Sequence, residues 1–381
     1  MLHRRRFIGL TGMAGIGLLV GPRIAFAAVE AKRRFVFIIQ RGAADGMSIV
    51  IPTGDSNYAS LRGALASDAA QATTLDGHFA LHPALKQTAA MYGAGEALFI
   101  QAVASPYRDR SHFDGQNVLE TGGIQPYQVK DGWLNRLAGL MPKTSEEAIA
   151  FAPTVPAALR GAVEVASYAP STLPAAPDDL LARVTDLYAA DPQLDPMWQQ
   201  AMASRGLAGD LAAKQDPASL GTLAATFLKR DDGPRIAMIE TGGWDTHSQQ
   251  QGRLNRQLAG LDALLAALKT GMGPAWGDTV VLIATEFGRT AAANGTGGTD
   301  HGTASAAMLL GGAVKGGRVI ADWPGLAQSA LYQGRDLKPT LDLDGLIAGA
   351  AAETLSLDPM RVRSTLFASA ERRPIEGLIH T

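Results

Sequence analysis

Five short apolar runs mark the chain: Phe35–Ile39, Ala97–Val103, Ile236–Ile239, Val280–Ala284 and Ala307–Leu310. They do not alternate between apolar and polar positions. Near-continuous runs of this length are the mark of strands buried on both faces, as in a parallel sheet. The segments between them read differently. Leu254, Leu258, Leu261, Leu265 and Leu268 recur at spacings of four and three, which puts all five on one face of a helix. Strands alternating with such helices predict an α/β fold, a mostly parallel sheet with helices on both faces in three layers. From about residue 151 to 221 the composition shifts to Ala, Pro and Asp. Helical stretches near 178–189 and 197–214 predict a helical insertion there, a lid or subdomain rather than a separate sheet.

In an open parallel sheet, ligands bind beyond the carboxyl ends of the strands. The residues just after each run therefore matter most. After the first come Arg41, Gly42 and Asp45; after the second, Arg108, Arg110, Ser111 and His112. After the third come Gly242, Gly243, Asp245 and His247; after the fourth, Glu286, Arg289, Asp300 and His301. Four Gly-rich loops carrying carboxylates or histidines would then meet at one rim. Each motif alone has a plain reading as turn or cap chemistry, with Asp45 a turn residue and Ser111 the N-cap of the following helix. Glu286 is harder to place that way, because a carboxylate at the end of a buried strand needs a partner. Taken together, the loops predict a metal site, and mixed imidazole and carboxylate donors suit zinc or manganese.

Composition narrows the chemistry. The chain has 381 residues and no cysteine, so disulfides, thiolate metal ligands and a thiol nucleophile are excluded. Arg4-Arg5-Arg6-Phe7-Ile8, an apolar run from Gly9 to Val20 and Ala25-Phe26-Ala27 form a charged start, a short hydrophobic stretch and a small-residue cleavage site. The paired arginines predict a twin-arginine signal peptide over residues 1–27, and hence a periplasmic or extracellular protein exported folded. The apolar run is too short for the roughly 20 residues that a membrane span requires, so no stable span is expected after cleavage. Loss of this leader takes away Arg4, Arg5, Arg6 and Arg23 and no acid, moving the formal charge from −2 to −6. No long block of like charge remains to bind nucleic acid.

These motifs, in this order, carry a resemblance. The twin-arginine start, Arg41-Gly-Ala-Ala-Asp-Gly, Arg110-Ser-His-Phe-Asp, Gly242-Gly-Trp-Asp-Thr-His, Thr285-Glu-Phe-Gly-Arg-Thr and Thr299-Asp-His-Gly are similar to the exported bacterial proteins grouped as domain of unknown function 1501. That family in turn resembles the alkaline-phosphatase-like superfamily of sulfatases, phosphatases and cofactor-independent phosphoglycerate mutases. The resemblance implies one such α/β domain over residues 28–381. It implies Asp45, Asp245, His247, Glu286 and His301 as ligands of one or two divalent metals, and Ser111 in the nucleophile position. Phe287 stands where the superfamily has a second-site histidine, which leaves His112 or Asp300 to complete that site.

Two function classes fit these residues. One is a metal-dependent hydrolase of a small phosphate or sulfate ester, with Ser111, His112 and Arg110 catalytic and Arg41, Arg108 and Arg289 clamping the anion. The other is a binding or assembly protein of the cell envelope, with a degenerate site on the same scaffold. A serine esterase is disfavoured, because no Gly-x-Ser-x-Gly elbow surrounds Ser111. The leader can be tested directly. Replacing Arg4, Arg5 and Arg6 together by Lys should leave precursor in the cytoplasm on cell fractionation; normal export of that variant would contradict the twin-arginine reading.

Overall fold

The structure, a computed structural model, describes residues 33–142, 148–171, 176–368 and 373–380; the expected leader, residues 1–27, lies outside them. In chain order the strands are β1 (Arg34–Gln40), β2 (Val50–Ile51), β3 (Thr73–Thr74), β4 (Ala80–Leu81), β5 (Ala97–Ala104) and β6 (Ala148–Phe151). They continue with β7 (Ala166–Ser167), β8 (Ile236–Thr241), β9 (Thr279–Ala284), β10 (Ser305–Leu310), β11 (Arg318–Ile320) and β12 (Leu341–Asp342). The main sheet has the order β11-β5-β10-β9-β1-β8-β6-β7, with β12 also on β5. Strands β8 and β9 flank β1 in parallel, whereas β10 runs antiparallel to both β9 and β5. The apolar run expected at 307–310 is thus a strand, and it is the reversed one. Strands β2, β4 and β3 make a small separate sheet.

Alternation along β1 divides the core. Phe35, Phe37 and Ile39 point into one apolar cluster and Val36 and Ile38 into the other, all fully buried. Helices α3 (Lys86–Gly93), α8 (Pro217–Leu228) and α9 (Gln250–Met272) cover the second face. All five leucines of the sequence pattern in α9 are buried there. Helices α4 (His112–Thr121), α5 (Trp133–Ala138), α10 (Leu343–Leu355) and α11 (Pro359–Leu366) cover the first. Trp133 of α5 packs edge-on against Phe37, ring centres 5.1 Å apart. Each such buried aromatic or aliphatic side chain contributes about 1.5–3 kcal/mol. The result is a three-layer α/β sandwich with a mostly parallel sheet.

Local chemistry sets the helix starts. Asp216, Asp342 and Asp358 each accept an amide from the first turn of α8, α10 and α11, and Pro217 and Pro359 follow two of these caps at positions where proline is tolerated. Helices α6 (Asp178–Tyr188) and α7 (Leu194–Ala208) fill the middle of the Ala/Pro-rich stretch. The stretch is not wholly helical, since β7 joins the edge of the main sheet in parallel with β6. Two one-turn helices sit near the site, α1 (Gly46–Ile49) and α2 (Tyr58–Arg62). Among the described residues no helix is long and apolar enough to cross a membrane.

One buried carboxyl gives a pH signature. Burial pushes Asp344, in the first turn of α10, up to about 8; the neighbouring Asp342 adds to this, while Arg363 and Arg108 oppose it. An unfolded aspartate titrates near 3.9. Between roughly pH 4 and 8 the folded chain therefore holds a proton that the unfolded chain has lost, and stability falls as pH rises through that window. Asp344→Asn should remove this slope, raising the melting temperature more at pH 8 than at pH 4.5. A difference between variant and wild type that does not change with pH would contradict it.

Candidate metal centre

The carboxyl ends of β1, β5, β8 and β9 lie on one edge of the sheet, and their loops meet there. Gly42, two residues after the end of β1, has φ +118°, and a Cβ at that position would come 2.6 Å from the backbone nitrogen of Asp245. Only glycine lets these two loops approach so closely. The loop after β9 turns back on itself, Arg289 pairing with His301 as an isolated antiparallel bridge. His112, the first residue of α4, follows the β5 loop.

His112, Asp245 and His301 bring ligand atoms within 4.8 Å of one another. All three imidazoles around Asp245 are turned the same way. His112 sets Nδ1 on Glu286 Oε1 (2.9 Å), His301 sets Nδ1 on the Arg110 carbonyl (2.9 Å) and His247 sets Nδ1 on Asp300 Oδ1 (3.1 Å). A carbonyl or carboxylate only accepts, so His112 and His301 donate from Nδ1, whereas His247 stands between two carboxylates, Asp300 at Nδ1 and Asp245 at Nε2. Asp245 Oδ1 lies 3.0 Å from His247 Nε2 and 3.4 Å from His301 Nε2; Oδ2 lies 3.5 Å from His112 Nε2. His247 Nε2 and His301 Nε2 are 3.0 Å apart. His112 Nε2 is buried without a hydrogen-bond partner among the described residues. A proton shared between His247 and His301 would relieve one contact and leave His112 unsatisfied.

Electrostatics favours ionisation of both carboxyls and disfavours a charged His301. Burial opposes ionisation of Glu286, but hydrogen bonds from His112, Gln116 and the Gly42 amide hold its carboxyl below the usual range. Asp245 is likewise held down against burial, chiefly by the hydrogen bond and charge of Arg289. His301 is lowered, first by burial and then by the charges of His112 and Arg289, which favours the neutral ring. Phe287, at 3% exposure, stacks on His112 with ring centres 5.1 Å apart. It forms a wall behind the imidazoles and offers no ligand of its own.

Several expected roles change. Asp45 is not brought into this group: it is fully buried and paired with both Nη atoms of Arg62, and it accepts from Ser48 Oγ (2.8 Å) and Gln250 Nε2 (2.5 Å). A guanidinium supplies the positive charge that its carboxylate needs. Glu286 and Asp300 orient imidazoles from one bond further out. Arg289 is wholly buried and cannot clamp a substrate. Arg41 is engaged by Glu120, Glu240 and Gln116. Arg108 donates to the Ser105 and Tyr107 carbonyls, and Arg110 to Asp336 and Gln333. Ser111 does occupy the N-cap position of α4, yet its side chain makes no capping bond there, and its amide donates to the Tyr107 hydroxyl (3.0 Å).

The family model described as a protein of unknown function, DUF1501, matches residues 32–366. The chain belongs to the DUF1501 family. Among curated proteins none matches its sequence. The structure is similar to the C-terminal periplasmic domain of EptC from Escherichia coli, in complex with Zn, at 11% identity and TM-score 0.42 over 91% of this chain and 92% of that one. It is also similar to a putative sulfatase from Bacteroides thetaiotaomicron (10% identity, TM-score 0.41, 91% and 74% of the chains). A third likeness is to the alkaline phosphatase of the Antarctic bacterium TAB5 (11% identity, TM-score 0.34, 76% and 93%). The resemblance is one of overall chain course, and the roles of the residues in this DUF1501 chain rest on its own contacts.

Arg62, Gln116, Gln250 and Asn294 had no signal in the sequence, since none sits in a strand-end motif and their partners are distant in the chain. The Asp45–Arg62 pair gives a test. Arg62→Leu leaves a buried carboxylate without its cation and should cost about 3–5 kcal/mol in urea unfolding, whereas Asp45→Asn with Arg62→Leu should recover much of that loss. A single-variant cost below about 1 kcal/mol would show that the pair is not the buried ion pair described.

Proposed function

We propose that this chain is an exported, metal-dependent hydrolase of phosphate or sulfate esters. The observation that supports the metal most is the common orientation of His112, His247 and His301, with Nδ1 anchored on oxygen and Nε2 facing one carboxylate. Anchoring of the far ring nitrogen by a carboxylate or carbonyl is the outer-shell pattern of histidine metal ligands. Donor atoms of a tetrahedral zinc site, each about 2.0–2.2 Å from the ion, lie roughly 3.4 Å apart, close to the separations of 3.0–3.5 Å around Asp245. The donor chemistry suits zinc or manganese. His112, Asp245, His247 and His301 would hold the ion, and Glu286, Asp300 and the Arg110 carbonyl would fix their rings.

A divalent cation there would supply positive charge to the ester oxygens. The chain's own groups do the rest. Ser111 directly precedes His112, has no capping duty and is the candidate nucleophile toward phosphorus or sulfur. The N-terminus of α4 favours an anionic ester at that point. Arg335, half-exposed and bonded to the His301 carbonyl (2.8 Å), stands at the rim as a cation that no strand-end motif announces.

Protein purified after native export should carry about one equivalent of zinc or manganese by elemental analysis and hydrolyse aryl phosphate or sulfate. Asp300→Ala frees His247 and should weaken metal affinity about 10–100-fold. Ser111→Ala should keep metal and melting temperature while abolishing turnover. Protein that stays metal-free after reconstitution, or an unimpaired Ser111→Ala, would overturn the metal or the nucleophile assignment respectively.

A further inference from the structure

We propose that the groove between α2 and the start of α9 is a second oxyanion site. It takes a phosphate or sulfate group of an extended substrate whose hydrolysable ester lies at the His112–Asp245–His301 centre; this pairing of sites rests on the hydrolase reading above. The groove encloses about 520 Å³, and its lining includes Arg62, Arg253, Arg256, three side-chain amides and no acidic residue. That absence is notable in a chain whose formal charge is negative. No salt bridge or side-chain hydrogen bond engages Arg253 or Arg256 among the described residues, whereas Arg41, Arg62, Arg110, Arg289 and Arg335 are all committed to acceptors. A cation without a carboxylate, beside a cavity, is positioned for an anion from outside.

Three further features agree. Arg256 folds back over the first turn of α9, its Nη1 3.9 Å from where a Cβ would stand at Gly252. That turn opens a helix of 23 residues whose N-terminus favours negative charge, although the Gln250 amide is already taken by the Gly297 carbonyl (2.9 Å). Arg62 Nε, buried and without a partner, adds an unsatisfied donor among the lining residues. Asn294 connects the groove to the centre. It lines the cavity and donates from Nδ2 both to the His247 carbonyl (2.9 Å) and to Asp300 Oδ1 (3.1 Å). Planar guanidinium groups match the oxygens of phosphate or sulfate with paired donors, which a flexible ammonium does not.

The test separates this site from the hydrolase reading. In full-length His301→Ala protein, whose ester centre is disabled, calorimetric titration at low salt with inorganic pyrophosphate should show binding. Adding Arg253→Gln and Arg256→Gln should weaken it at least tenfold, and adding Arg253→Lys and Arg256→Lys instead should restore part of the affinity. Far-UV circular dichroism confirms that the variants are folded. In the otherwise wild-type chain, the same Gln pair should raise KM for an aryl phosphate bearing a second phosphate at least tenfold more than KM for the simple aryl phosphate. Unchanged pyrophosphate affinity would overturn the oxyanion site whether or not the chain hydrolyses esters. Weakened pyrophosphate binding with an unchanged KM ratio would mean that the groove takes only free oxyanion, and would overturn the extended-substrate assignment.

Discussion

The site depends on one buried guanidinium. Arg289 donates from Nε to the Ala43 carbonyl (2.7 Å), from Nη1 to Thr299 (3.1 Å), and from Nη2 to Gly42 (2.8 Å), Trp244 (3.2 Å) and the Asp245 carboxylate (2.5 Å). These acceptors belong to the loops after β1, β8 and β9. A buried cation is tolerated only when its donors are met, and this one meets them by pinning three loops at once. The forked geometry matters, because a lysine could not reach five acceptors in different directions. Asp245 is thereby fixed and kept ionised, and the three imidazoles are arranged around it.

Charge is distributed in two separate tiers beneath and at this rim. Below it, Asp45 and Arg62 neutralise each other out of water, with Ser48 and Gln250 completing the carboxylate's hydrogen bonds. At the rim, Asp245 and three imidazoles converge beside the Arg289 guanidinium, which is already committed to holding the loops. The Nε2 atoms of His247 and His301 lie 3.0 Å apart and both face the Asp245 carboxylate. A cation shared among the donors would satisfy them together, as the proposed metal does. The protein thus has a closed ion pair beneath the rim and a cluster of three imidazoles around one carboxylate at it.

Much of this was legible from the chain. Burial on both faces makes a strand read as an apolar run, so β1, β5, β8 and β9 stood out and their carboxyl ends located Asp245, His247, Glu286 and His301. Strands β6, β7, β11 and β12 did not stand out. They have two to four residues, and their pairing is decided by neighbours distant in the chain. The roles of the charged residues were the least legible. An arginine in a loop reads equally as an anion clamp or as a strut, and only burial and acceptors separate the two. Arg289 proved to be a strut, and the partner of Asp45 came from α2, 17 residues along the chain.

The tautomeric state of the histidines tests the account most directly. Imidazole nitrogen resonances of ¹⁵N-histidine-labelled protein, followed through a zinc titration, report which nitrogen bears the proton and which meets the ion. The account predicts protons on Nδ1 of His112 and His301 in the metal-free protein, and movement of the Nε2 signals of His112, His247 and His301 together, complete at about one equivalent of zinc. Protons on Nε2 of His112 and His301, or Nε2 signals indifferent to zinc and manganese alike, would contradict it.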